Sequence, residues 1–338
     1  MKKNNKILYI GNNLSKKTNY NSTMLTLSIL LSQEGYIVKK SSDKNNKILR
    51  LLDMCITLLK SRKKTDYVLI DTFSTLNFYY AFIISQLCRI LKKKYISILH
   101  GGNLPMRLKK NKFLCGLIFN NSYVNVAPSM YLKTHFDDKE YKTVYIPNTI
   151  EVKNYQFKER KEIAPKILWV RAFYSIYNPK LAIETLKVLK NEYPEAALCM
   201  VGPEKDNSYI QCKELVEKYS LESFVTFTGV LKKEEWHKLS KDYDIFINTT
   251  NIDNTPVSVI EAMALGLPVV STNVGGIPFL IEHEVSGILV DKNNPVEMSN
   301  AISNLLKKNN LLIAKKARYK AESFDWEQVK QIWNSILQ

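Results

Sequence analysis

Short apolar runs rich in β-branched and aromatic residues alternate with longer stretches of helical period along the whole chain. The runs predict strands at 7–10, 36–38, 67–70, 95–99, 123–127 and 143–146, then at 167–170, 197–201, 225–227, 244–248, 269–271 and 288–290. Between them lie helical stretches such as 21–34, where Asn21 and Ser22 can cap, and 178–190, where Asn178 reads as N-cap and Pro179 as the first helical residue. Regular alternation of this kind predicts an α/β protein with parallel sheets. Six predicted strands fall on each side of residue 155, and the charged segment 151–164 lacks apolar periodicity. The expected organisation is therefore two doubly wound domains, 1–155 and 156–323, followed by a terminal helix over 324–338. In that helix Asp325 can cap, and Trp326, Val329, Ile332, Trp333 and Leu337 recur at helical spacing. The stripe suits the core of the second domain or, as the preferred reading, a helix that crosses back to the first.

Composition narrows the class without changing this picture. A chain of 338 residues, 45% hydrophobic and 24% charged, has the usage of a folded soluble protein. At roughly 150 residues per domain its length fits two cores. The five scattered cysteines form no CxxC, so neither a disulfide framework nor a zinc cage is suggested, and a reducing compartment fits. The apolar run 7–10 is too short for a secretory h-region, which makes the cytoplasm the expected location. The uncharged stretch 72–88 contains Thr72, Ser74, Asn77 and Gln86 and is read as a buried or interfacial helix rather than a membrane span.

Charge is distributed unevenly. Of a net charge of +17, residues 1–160 carry 28 Lys and Arg against 10 Asp and Glu, whereas the remainder carries 21 against 22. Clusters at Arg62-Lys63-Lys64, Lys92-Lys93-Lys94 and Arg107 to Lys112 suit a polyanion, an anionic lipid surface or a phosphorylated substrate, or stand as a solvated face. No nucleic-acid recognition module accompanies them, and nucleic acid is not an expected partner.

Several familiar chemistries are missing. The eleven glycines contain neither GxGxxG nor GxxxxGK, and no HExxH or GxSxG occurs. Asp242-Tyr243-Asp244 spells DxD, but it opens a predicted strand and reads as strand-start solvation, so no metal site is expected.

The informative stretch is 248–280, NTTNIDNTPVSVIEAMALGLPVVSTNVGGIPFL. A strand ends at Asn248, a polar loop carries Asp253, and Asn254 or Thr255 can cap a helix with Pro256 in its first turn and Glu261 inside it. Free amides at such a helix start attract phosphate, and nearby carboxylates accept hydrogen bonds from sugar or ribose hydroxyls. Together they suit a nucleotide sugar.

These residues resemble the retaining glycosyltransferases of family 4, whose GT-B fold sets two Rossmann-like domains across a cleft. The resemblance rests on Asp253 and Glu261 with seven residues between, Glu261-Ala262-Met263-Ala264, Gly266, Pro268-Val269-Val270 and Gly275-Gly276. It extends more weakly to Ile7–Gly11, Leu99-His100-Gly101, Val201-Gly202-Pro203 and the Trp326 helix. It implies that Glu261 binds the donor ribose, that Asp253 contacts the transferred sugar, and that Arg171 holds the leaving diphosphate through its guanidinium fork. His100 then approaches the donor sugar. Gly11, Asn12, Gly202, Asn254, Thr255, Pro256 and Val257 line the donor site. The family lysine five residues after the arginine is Ile176 here, and Lys180 is the candidate replacement. Gly11-Asn12-Asn13 stands where the family often has Gly-Gly, and Phe279 near a usual acidic position.

The implied function is transfer of a sugar from a nucleoside diphosphate donor to a glycan or lipid-linked acceptor with retention, without a cofactor or metal, in cell-surface polysaccharide or glycolipid synthesis. The basic first half implies an anionic membrane surface as a further partner. A sugar-nucleotide epimerase on the same fold, or a non-catalytic basic binding protein, are the competing readings.

Overall fold

A computed structural model describes residues 5–13, 22–308 and 311–338. Among these, the first sheet comprises β1 (Lys6–Ile10), β2 (Ile37–Ser41), β3 (Tyr67–Thr72), β4 (Lys94–Leu99), β5 (Val124–Ala127) and β6 (Thr143–Tyr145). The second comprises β7 (Lys166–Val170), β8 (Ala197–Val201), β9 (Val225–Gly229), β10 (Ile245–Asn248), β11 (Val269–Thr272) and β12 (Ile288–Val290). Every pairing is parallel. Central strands such as β3 are buried along their whole length, which is why they read as unbroken apolar runs, whereas edge strand β2 alternates and carries Lys39 and Lys40.

The strand orders differ. The second sheet runs β12-β11-β10-β7-β8-β9, the Rossmann order, with its switch point between β7 and β10. The first runs β2-β1-β3-β4-β5-β6, the flavodoxin-like order, with its switch point between β1 and β3. Ligands of such sheets bind beyond the carboxyl ends of the strands at the switch point. Arg171 and the Asp253 loop leave one of these points; Gly11 leaves the other, and His100 follows β4 beside it.

The chain divides into one unit of Met1–Thr149 with Trp326–Gln338 and a second of Ile150–Asp325. The first boundary lies ahead of the sequence-based one at 155, because Ile150, Val152 and Tyr155 are buried with Leu168, Phe246 and Val259 in the second core. Ile150 N–H donates to the Phe324 carbonyl at 3.0 Å, and Val152 N–H to the Asp325 carboxylate at 2.7 Å. The terminal helix, Trp326–Ile336, buries Trp326, Val329 and Trp333 with Ile7, Tyr9, Leu31 and Tyr67 of the first core. Tyr36 Oη donates to Asn334 Oδ1 at 2.9 Å, and Tyr67 Oη to the Gln338 carbonyl at 2.8 Å.

Of the expected caps, Ser22 is found in place and Asn178 is not. The first helix is Thr23–Gln33 with Ser22 accepting from Leu25 N–H at 3.3 Å; Asn21 lies outside the described residues. Asn178 does precede the helix Pro179–Leu189, but at φ 46° its side chain makes no cap and donates instead to Asn293 Oδ1 at 2.9 Å. The uncharged stretch becomes the helix Phe78–Ile90, and among the described residues no helix is long and apolar enough to cross a membrane.

Candidate active site

In the second unit, the backbone is arranged around glycine. A Cβ on Gly202 would collide with the Arg171 carbonyl, so the segment after β8 can lie against the segment after β7 only without a side chain. Gly275 at φ 55° and Gly276 would likewise collide with the Asp253 and Asn254 carbonyls, and Gly276 N–H donates to the Asp253 carbonyl at 3.0 Å. The glycine pair thereby holds the loop after β10 in place.

Arg171 and Asp253 form an ion pair with side chains 20% and 12% exposed. The guanidinium carbon stands 4.2 Å from the Tyr177 ring centroid, and Nε is buried with no hydrogen-bond partner. Asp253 Oδ1 also accepts from Asn254 N–H at 2.8 Å. The resemblance implies separate tasks for these two residues; the fold joins them. An arginine stacked, paired on one edge and left with a free donor is oriented for an anion.

Glu261 is buried in the helix Val257–Ala264. Its Oε1 accepts from Tyr155 Oη at 2.8 Å and pairs with Lys233 Nζ at 2.7 Å, while neither contact uses Oε2. Burial, together with this carboxylate, pushes the Tyr155 phenol far above its ordinary range. The two carboxylates eight residues apart thus serve different neighbours. Neither Tyr155, in the segment read as a junction, nor Lys233, in the helix Lys233–Leu239, carries a local signal that would pair it with Glu261.

The helix start differs from the sequence reading. Pro256 is the N-cap, at ψ 118°, and makes no side-chain cap; Thr255 and Asn254 are buried in the preceding loop, and Val257 is the first helical residue. Proline has no N–H to donate, and its extended ψ keeps it outside the helix. The Val259 and Ile260 amides donate to the Pro256 carbonyl at 3.1 and 3.3 Å, and a proline cap offers no side-chain acceptor to the amides of Val257 and Ser258, the end of a helix that attracts phosphate.

Lys180 stands half-buried in the first turn of Pro179–Leu189, and no contact among the described ones joins it to Arg171. Ile176 works through its carbonyl, which accepts from Asn251 N–H at 2.8 Å and so pins the loop after β10. Asp244 of the DxD accepts from Ala164 N–H at 3.1 Å and pairs with Arg160 at 3.5 Å, a structural role. Among the described residues no group of three His, Cys, Asp or Glu stands together.

His237 lies beside Tyr155, ring centroids 4.6 Å apart, with Nε2 buried and unpartnered. Burial, with Lys233 nearby, pushes its pKa from the ordinary 6.5 down to about 4. The unfolded chain therefore binds the extra proton between these values, and stability should rise with pH from about 4 to 6.5 and hold above. Denaturation midpoints across that window should change less in His237→Phe than in the wild type; equal slopes would deny the assignment.

In the first unit, Gly11 follows β1, His100 follows β4, and Asp71 lies near the end of β3. His100 Nε2 meets Asp71 Oδ1 at 2.8 Å and the imidazole stacks on Phe73 at 4.9 Å. Tyr9 Oη donates to the same oxygen at 2.9 Å, and a Cβ on Gly11 would run into this carboxylate. Nε2 is thus committed to Asp71, which fixes the orientation of the ring. Asn12 Oδ1 is occupied by Arg50 Nη1 at 3.0 Å. Asp71 is a further residue that the sequence reading missed.

Fold and site define a class of two-domain α/β proteins whose polar residues gather at the carboxyl ends of both sheets. The pattern of Glycosyl transferases group 1 matches residues 151–324, and the chain belongs to this family. It is 30% identical over 150 residues to sulfoquinovosyl transferase SQD2 of Arabidopsis thaliana, covering 43% of this chain and 28% of that protein. It is 33% identical over 136 residues to the putative colanic acid biosynthesis glycosyltransferase WcaL of Escherichia coli, covering 37% and 34%. The matches thus span about a third of those relatives' length. Sucrose-phosphate synthase from Thermosynechococcus elongatus aligns at TM-score 0.81 and 17% identity, over 98% of this chain and 99% of that one. HepE of Anabaena, in complex with UDP and glucose, aligns at TM-score 0.77 and 16% identity over the same shares. These two likenesses show the fold, the GT-B pair of doubly wound domains.

Proposed function

We propose that the protein is a retaining glycosyltransferase of the family 4 type that moves a sugar from a nucleoside diphosphate donor to an acceptor hydroxyl. The observation that carries this reading is the Arg171 guanidinium, paired with Asp253, stacked on Tyr177 and keeping a buried, unpartnered Nε. In the reaction the bond from the anomeric carbon to phosphate breaks and a bond to the acceptor oxygen forms on the same face. The acceptor proton passes to the leaving phosphate. Charge on that phosphate is met by Arg171 and the first-turn amides of Val257–Ala264, a task that assigns no step to a metal. Glu261 accepts from the ribose hydroxyls. Gly202, Gly275 and Gly276 let the segments after β7, β8 and β10 pack closely around Arg171 and Asp253.

The names of SQD2 and WcaL support an acceptor in glycolipid or polysaccharide synthesis. The basic first half supports action at the cytoplasmic face of an anionic membrane, on a glycan or lipid-linked acceptor. The test is proton NMR of the product formed from a panel of nucleoside diphosphate sugars and acceptors. The reading expects the anomeric configuration of the donor in the product and no conversion of donor to its epimer without acceptor. An inverted product, or epimerisation alone, would overturn it.

A further inference from the structure

The helix Lys47–Ser61 has an apolar side facing the core and another facing water. Met54 and Leu58 are buried in the first unit, as the helical period requires. Ile48, Leu49, Leu52, Ile56 and Leu59 are exposed, Ile48 by 71%. Positions 48, 52, 56 and 59 fall along one side at the helical repeat. A helix on the surface of a water-bathed domain presents polar residues there, so five aliphatic side chains ask for a partner.

Basic residues flank this stripe. Lys44 and Lys47 at one end and Lys60, Arg62, Lys63 and Lys64 at the other are all exposed, against the exposed carboxylates Asp43 and Asp66. Asp53 is half-buried and accepts from Ser41 Oγ at 3.3 Å. The neighbouring helix Phe78–Ile90, tied on by Tyr80 Oη donating to the Lys47 carbonyl at 3.1 Å, exposes Tyr79, Ile83 and Ile90.

We propose that this face docks on an anionic phospholipid bilayer, with the helix Lys47–Ser61 lying in the interface. Its aliphatic side chains enter the acyl boundary, and the flanking lysines and arginine meet lipid phosphates. Charge selects this occupant. A two-fold contact between copies would set the same six cations against each other, whereas an anionic headgroup layer complements them. The proposal deepens the membrane reading above and rests on it for its purpose, namely to hold the enzyme beside a lipid-linked acceptor.

The test is co-sedimentation of the full chain with vesicles of phosphatidylcholine and phosphatidylglycerol, and of phosphatidylcholine alone. Binding is expected to the mixed vesicles only and to weaken with salt. The Ile48→Ser/Leu52→Ser/Ile56→Ser variant should lose about tenfold or more in vesicle affinity, with an unchanged denaturation midpoint. Lys60→Gln/Lys63→Gln/Lys64→Gln should lose a similar factor together with most of the salt dependence. Absence of wild-type sedimentation, or sedimentation indifferent to both variants, would overturn the proposal. So would a concentration-dependent dimer in size-exclusion chromatography that the serine variant dissolves, which would make the face a self-contact. UDP binding followed on the same samples reads the sugar-donor site separately: its loss with vesicle binding intact strikes the transferase reading alone, and the reverse result strikes only the docking face.

Discussion

Replacing Arg171 with alanine is expected to lower turnover by about 100- to 1000-fold, the usual effect of deleting one preorganised donor that meets transition-state charge. The expectation follows from the side chain's setting. One edge of the guanidinium is committed to Asp253, the face is covered by Tyr177, and Nε is buried with nothing to bind, so its orientation is already fixed before a phosphate arrives. Arg171→Lys keeps the charge but loses the planar fork, and should recover only part of the rate. Steady-state kinetics separates this from a folding defect: kcat should fall while the denaturation midpoint moves little, because Asp253, relieved of its partner, still accepts from Asn254 N–H. A variant with wild-type kcat would remove Arg171 from the chemistry.

Glu261→Gln is expected to act on binding instead. The amide preserves shape and can still receive the Tyr155 hydroxyl, but it gives up the charge that pairs with Lys233 and that the proposed function offers to the donor's ribose hydroxyls. Losing charge-assisted hydrogen bonds of about 1.5–3 kcal/mol should raise the donor KM by about 10- to 150-fold with a smaller change in kcat. Lys233, 38% exposed in its side chain, can turn to water, so the cost in stability should be modest. If Glu261 served only to hold Tyr155 and Lys233, the midpoint would drop and KM would stay.

Much of the architecture could be read from the chain because parallel strands are covered on both faces. Tyr67-Val68-Leu69-Ile70 is apolar at every position because nothing on either side of β3 is wet. The run from Glu261 to Gly276 was equally legible, since a helix, a short strand and a glycine turn follow one another without long-range help. Pairings across the fold were not. Arg171 meets Asp253 across 82 positions and Glu261 meets Tyr155 across 106, and no periodicity encodes such partners. The helix start moved to Val257 because the extended ψ of Pro256 is a tertiary outcome of the loop pinned by Gly275 and Gly276. Strand order was likewise hidden: β2 lies beyond β1 in one sheet and β8 beyond β7 in the other, yet the first sheet places β3 on the opposite side of β1.

The central claim is that the arginine, the proline-capped helix and the buried glutamate together grip a nucleoside diphosphate sugar. Thermal denaturation against a panel of such sugars tests it most directly. At 100 times its dissociation constant the true donor should add about 2.7 kcal/mol to stability, a gain that Glu261→Gln should largely abolish. A panel that leaves the wild type unmoved, or a donor that stabilises this variant as much as the wild type, would contradict the account.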